Sequence, residues 1–347
     1  MTLACARLLA LLAASIACGT AAAQESPEGF FKGKQINIVV GSSAGGGYDT
    51  YARLLARYFG NHIAGSPAIV VQNMSGAGSN RAAGYIYSVA PKDGTAIGAV
   101  FPGAIMQPLI GDAAVQHDPS KLVYLGSANS DYYICVARSD SNVKKFEDAF
   151  SQEMILGATS DGATTRDLPT LLNNVLGTKF RIVAGYAGSR EIGIAIERNE
   201  VQGTCGIGWT AFVTLYPDWF ARGTVKVIAQ LSLKANADLA RIGAPLAVDF
   251  AKSPDDRAVM ELVLAQSMFG RPFVLPPGVP AERVTALRKA FVDALRHQSL
   301  RAEADRMKLD LEPLSGDDLQ SLVRRIYATP APIVERARQA LAAKSQR

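Results

Sequence analysis

The hydrophobic positions of this chain alternate between two spacings. Short apolar runs bounded by turn residues read as buried strands. They occur at Ile36, Ile38, Val39 and Val40, and again over residues 68–72, 96–101, 122–126, 132–137, 155–158, 181–184 and 224–231. Between them, apolar residues recur at helical spacing. Tyr51, Leu54, Leu55, Tyr58 and Phe59 share one face, as do Leu168, Leu171, Leu172, Val175 and Leu176, where Gly177 stands at the C-cap position. Residues 81–90 read as a small-residue helix and 189–198 as another, with Ser189 as its N-cap. Late in the chain Val284, Leu287, Phe291, Ala294 and Leu295 line one helix and a second starts at Ser315. An Ala- and Arg-rich tail helix follows Pro330 and Pro332.

Strands alternating with helices predict an α/β fold. The texture changes near residues 128 and 269, which predicts one lobe from 30–127 with 269–347 and a second from 128–268. Two crossings between α/β lobes leave a cleft. A chain of 347 residues, 48% hydrophobic and 19% charged, has material for two such cores.

Residues 1–23 differ in kind. Arg7 is the one charge, the stretch 8–18 is nearly all apolar, and Thr20 to Ala23 are small. This is the pattern of a secretory signal peptide cleaved after Ala23. Cys18 lacks the leucine of a lipobox three residues before it, so lipidation is the weaker reading. Loss of Arg7 lowers the formal charge from +5 to +4, and no basic run interleaved with aromatics suggests nucleic acid. Cys135 and Cys205 remain after cleavage; outside the cytoplasm they are either bridged or two separately buried thiols.

The candidate chemistry starts at the first strand. Gly45, Gly46 and Gly47 follow it directly and a helix follows them, which gathers unpaired backbone N–H groups at one point. Ser42, Ser43, Ala44 and Asp49 surround that turn, and Asp49 is either a ligand contact or a cap of the helix. Ser160, Asp161, Gly162, Ala163, Thr164 and Thr165 repeat the arrangement later, with small hydroxyl residues leading into a helix. Arg190 offers a guanidinium to a carboxylate or pairs with Glu191 or Glu197, and Tyr186 and Trp209 either stack on a ligand or pack in the core.

Rival chemistries fit less well. Gly41-Ser42-Ser43-Ala44-Gly45 matches the G-x-S-x-G elbow of a serine hydrolase, but His62, His117 and His297 are the only bases a triad could use. A P-loop from Gly41 would need lysine where Gly47 stands, and a dinucleotide fingerprint from Gly45 would need glycine where Thr50 stands. Three scattered histidines give no metal spacing, so neither metal nor cofactor is expected.

Several motifs in register resemble the periplasmic solute-binding proteins of tripartite tricarboxylate transporters, the Bordetella uptake gene (Bug, TctC-like) family. They are Ala44-Gly45-Gly46-Gly47-Tyr48-Asp49, Val70-Val71-Gln72-Asn73 with Gly76-Ala77-Gly78, Pro91-Lys92-Asp93-Gly94-Thr95, Gly185-Tyr186-Ala187-Gly188-Ser189, and residues 275–284. The resemblance implies a type II periplasmic-binding fold, with two α/β lobes, two crossovers and a ligand cleft. It implies a site built from Ser42, Ser43, Ala44, Gly45, Gly46, Asp49, Gly78, Ser79 and Asn80 on one wall. The other wall would be Ser160, Asp161, Gly162, Ala163, Thr164, Thr165, Tyr186 and Gly188, with Arg190 beside it. Departures at Ser42-Ser43 and Ala187 bear on which ligand is taken. The expectation is a monomeric extracytoplasmic binding protein that captures a small organic acid without turnover and delivers it to integral-membrane transporter subunits. An exported hydrolase using Ser43 and a ligand-sensing receptor are the alternatives.

Overall fold

The structure, a computed structural model, describes residues 27–111, 115–159 and 162–342. The signal-peptide stretch with Cys18, and Ser160 and Asp161, lie outside the described residues. The strands are β1 (Gln35–Val40), β2 (Ala68–Asn73), β3 (Ala96–Ala99), β4 (Val123–Ser127), β5 (Tyr133–Arg138), β6 (Met154–Gly157), β7 (Phe180–Val183), β8 (Gly203–Gly208), β9 (Val225–Leu231), β10 (Pro272–Leu275) and β11 (Leu314–Ser315). The helices used below are α1 (Gly47–Phe59), α2 (Asn80–Ser88), α3 (Pro102–Ile110), α4 (Thr164–Leu171), α5 (Ser189–Glu197), α6 (Pro254–Leu264), α7 (Ala281–Arg296), α8 (Gly316–Tyr327) and α9 (Ala331–Leu341).

Two mixed sheets form. One runs β11-β4-β10-β3-β1-β2 and the other β7-β6-β8-β5-β9. β1 is parallel to both β2 and β3, whereas β10 returns antiparallel between β3 and β4. Buried Ile36, Ile38 and Val40 of β1 share a core with Tyr51, Leu54, Leu55 and Phe59 of α1 and with Leu287, Phe291 and Leu295 of α7. The apolar face read from spacing is thus the face that packs. Ser315 caps α8 by accepting from the Asp318 amide at 3.2 Å.

Three details differ from the sequence reading. β8, GTCGIG, has too little β-branched character to stand out, yet it sits in the middle of the second sheet and is buried throughout. A Cβ at Gly203 would fall 2.1 Å from the Val136 carbonyl oxygen, so the packing that makes this strand also strips its side chains. Ser189 is the first residue of α5 and Gly188 holds the cap position without a side-chain bond. The helix whose apolar face opens at Leu168 begins at Thr164 and ends in a π-turn, Leu172–Leu176, closed by Gly177 at φ +85°.

The chain passes from the first sheet to the second between β4 and β5 and returns just before β10. These crossovers lie side by side: the Ala128 amide donates to Arg271 O (3.1 Å) and the Asp131 amide to Ser267 O (2.9 Å). The buried Ser127 hydroxyl accepts from the Arg271 amide at 2.9 Å and donates toward the carbonyls of Phe269 and Asn129. The tail helix α9 then packs against α3, α4 and α6, with Asn174 donating to Ala340 O at 2.9 Å. Among the described residues no helix is long and apolar enough to cross a membrane.

Cys135 and Cys205 face each other across β5 and β8, and a disulfide joins them over a sequence separation of 70. Closing a loop of that length restricts the unfolded chain, worth about 2–5 kcal/mol. The urea midpoint should fall when reductant is added or both cysteines are changed to alanine, by matching amounts. Two free thiols on titration of the denatured, unreduced protein would refute the bridge.

Candidate ligand-binding site

A cavity of about 1230 Å³ opens between the two sheets. The first lobe contributes Tyr48 at the start of α1, Gly78 and Asn80 at the start of α2, and Phe101 and Gln107 around α3. The second lobe contributes Gly162 to Thr165 at the start of α4 and Gly206 to Gly208 from β8. The crossovers supply the floor, Asp131 and Arg271. Across the opening the lobes nearly meet, since a Cβ at Gly162 would lie 2.5 Å from Gln107 Nε2.

The floor is an ion pair. Arg271 Nη1 lies 3.1 Å from Asp131 Oδ2, with the two side chains 11% and 6% exposed. The same nitrogen reaches the Tyr48 hydroxyl and the Gly270 carbonyl, both at 3.4 Å. The guanidinium lies 4.4 Å from the Tyr48 ring centre and 5.4 Å from that of Tyr51, within cation–π range. Burial alone disfavours the cation, but the paired Asp131 carboxylate and the ring faces of Tyr48 and Tyr51 hold it charged. Burial pushes the Tyr48 phenol up to about 12, so it stays neutral and able to donate.

The polar capacity of Arg271 is only partly used. Arg271 lines the cavity; its Nε is buried without a partner, and its Nη2 makes no hydrogen bond among the described residues. A guanidinium with free donors in a cleft is a receptor for a planar oxyanion.

Of the residues singled out by sequence, the cavity wall holds Gly78, Asn80, Gly162, Ala163, Thr164 and Thr165. At the start of α4 the Arg166 amide already donates to Ala163 O at 2.9 Å, which leaves the amides of Thr164 and Thr165, both wall residues, without an acceptor in the helix. Its hydroxyls are already engaged: Thr164 Oγ1 donates to Gly206 O at 2.6 Å, and Thr165 Oγ1 accepts from the Thr159 amide at 3.1 Å. Ser79 is buried behind the wall at φ +76°, its hydroxyl against Gly41. Ala77 and Gly78 beside it are also left-handed, at φ +47° and +59°. Such strain in non-glycine residues clusters at ligand-facing turns.

The first glycine turn behaves differently. Ser42, Ser43, Ala44, Gly45 and Gly46 are not on the cavity wall, and Tyr48 is. Asp49 explains this. Its side chain is buried and turned away from the cavity, accepting from the Gly45 amide (2.8 Å), Arg53 Nε (2.9 Å) and Asn73 Nδ2 (2.9 Å). It caps its own loop and occupies an amide that an external anion would need. Tyr186 is half-buried among Ile192 and Val201, and Gly188 and Arg190 stand off the wall, although Ala187 and Ser189 are on it. Trp209 packs on Phe220.

No histidine hydrogen-bonds to Ser43 among the described residues. His117 is committed to Ala104 O at 2.8 Å, and the rings of His62 and His297 face each other 5.5 Å apart. The elbow-like sequence therefore lacks a base. No cluster of His, Cys, Asp and Glu able to hold a metal occurs among the described residues.

Sequence reasoning missed Arg271, Asp131, Tyr48 and Gln107. A usable signal existed for the first two. Each is a charge on a stretch where the chain changes lobes, and a crossover between two lobes must floor the cleft.

No protein-family model and no curated protein sequence matches the chain. Solved structures do. A TctC solute-binding protein from Polaromonas, without ligand, superposes with TM-score 0.65 at 18% identity over 88% of this chain and 99% of that one. The periplasmic binding protein BugD gives 0.62 at 19% identity, over 89% and 98%. MatC from Rhodopseudomonas palustris with bound malate gives 0.61 at 18%, over 90% and 100%. The fold is that of a periplasmic binding protein. At these identities the likeness establishes the fold, and the ligand has to be argued from the cavity itself.

The Asp49 carboxyl is held below the usual carboxylate range: burial raises it, but the bonds from Arg53, Gly45 and Asn73 outweigh burial. A lowered folded-state pKa stabilises the fold above the unfolded value, about 3.9, and that contribution disappears as pH falls through the folded value. Asp49→Ala should cost about 1–3 kcal/mol at neutral pH. Melting curves of wild type and variant should converge as the pH drops below about 4. A gap that stays constant to lower pH would show that the carboxylate is not what holds the loop.

Proposed function

We propose that this protein is an extracytoplasmic solute-binding protein that captures a small organic acid in the cleft between its lobes. The observation that carries the reading is the Arg271 guanidinium, largely buried at the floor of a cavity walled by both lobes, with its hydrogen-bonding capacity only partly used. The bound carboxylate meets the Arg271 fork, and the first-turn amides of α4 and the Asn80 side of α2 approach it as the lobes close. Contacts made only in the closed form shift an existing open–closed equilibrium toward it. The protein binds and releases its solute unchanged.

The structural neighbours support periplasmic location, and the export signal read at residues 1–23 agrees with it. Malate bound to one neighbour supports an acid as the ligand class. The same likeness supports delivery of the loaded protein, as a monomer, to membrane subunits of a tripartite tricarboxylate-type transporter.

A carboxylate panel screened by thermal shift tests this. An acid present at 100 times its Kd should stabilise the protein by about 2.7 kcal/mol. Arg271→Lys keeps a charge but loses the planar fork. It should weaken that acid by about 1.5–3 kcal/mol, about 10- to 100-fold in Kd. If no acid moves the melt, or if the lysine variant binds as tightly as wild type, the reading is wrong.

A further inference from the structure

The floor of the cleft holds an acid as well as a base, and both have capacity to spare. Asp131 gives Oδ2 to Arg271 Nη1, while Oδ1 accepts no hydrogen bond among the described residues. The carboxylate nevertheless lines the cavity. Gly208, on the same wall, keeps it uncovered: a Cβ there would lie 2.6 Å from Oδ1. The backbone of Gly208 is at φ −67°, open to any residue, so it is space beside the carboxylate that glycine preserves. On the other side of the pair, Arg271 Nη2 makes no hydrogen bond among the described residues and Nε is buried and unpartnered.

A ligand bearing only carboxylates would satisfy Arg271 and bring like charge against Asp131. A ligand bearing an ammonium next to a carboxylate satisfies both, because its two charges can lie antiparallel to the pair. Resting on the binding role set out above, we infer that the solute is amphoteric, an α-amino acid or a close analogue. Its carboxylate is held by Arg271 and its ammonium donates to Asp131 Oδ1. Tyr48, Phe101 and Tyr133 beside the pair then face the side chain of the ligand.

The alternative role for Asp131 is to position Arg271. It predicts equal losses for all acids when Asp131 is changed, and so can be told apart. Calorimetric titration of ligand-free protein with matched pairs tests the inference: L-aspartate and succinate, L-glutamate and glutarate, L-phenylalanine and 3-phenylpropionate, L-leucine and 4-methylpentanoate. At least one amino acid should bind about 30-fold or more tightly than its des-amino partner, the range expected for a desolvated charge pair. Asp131→Asn, nearly isosteric, should close that gap by weakening the amino acid and not its partner. If des-amino acids bind as well as or better than their partners in the wild type, this inference falls and the carboxylate reading stands. A gap that persists in Asp131→Asn also overturns it, with the amine then held elsewhere. If neither series binds, both readings fall together. The wild-type comparison decides the matter even if the variant does not fold.

Discussion

The pairing of Arg271 with Asp131 ties this structure together. Each charge sits on a different crossover, and each would be costly to bury alone. Together they are tolerable, and the phenol of Tyr48 and the backbone bonds between 128–131 and 267–271 complete their surroundings. The floor of the cleft and the segments that cross between the lobes are consequently the same piece of protein.

Around that floor the walls are made largely by removing side chains. β8 carries Gly203, Gly206 and Gly208, and a Cβ at Gly206 would fall 2.1 Å from Thr164 O. The start of α4 can come down onto the sheet only because this strand is bare. Close approach brings the α4 amides to the cavity and leaves Asp131 open beside Gly208. The threonine hydroxyls are engaged internally, so backbone rather than hydroxyls is what this wall offers the cavity.

The first glycine turn shows how the same local sequence can serve two ends. A strand, three glycines and a helix do expose amides, and Gly45 takes the left-handed φ of +78° that its turn requires. Four residues on, however, Asp49 supplies an internal carboxylate at 2.8 Å from the Gly45 amide. A covalently tethered anion outcompetes a dissolved one. The turn therefore stiffens the loop that presents Tyr48, and the cation arrives from a segment 222 residues further along the chain, where Gly270 O accepts from the Tyr48 hydroxyl.

The sequence by itself determined the element types, the alternation that makes an α/β fold, and the inward faces of α1, α7 and α8. Those follow from local periodicity, which a single segment carries. It also pointed to the turn at 162–165 that the cavity uses, because a strand-to-helix junction rich in small residues is a local signal too, while 78–80 came from the family resemblance. It was silent on β8, whose glycines lack strand character and make sense only against Val136, Thr164 and Asp131. It left Asp49 between two roles, since spacing cannot say which way a carboxylate turns. Which charges meet at the floor was decided by tertiary structure alone. Asp131 and Arg271 stand 140 residues apart, and only the laying of one crossover against the other brings them to 3.1 Å.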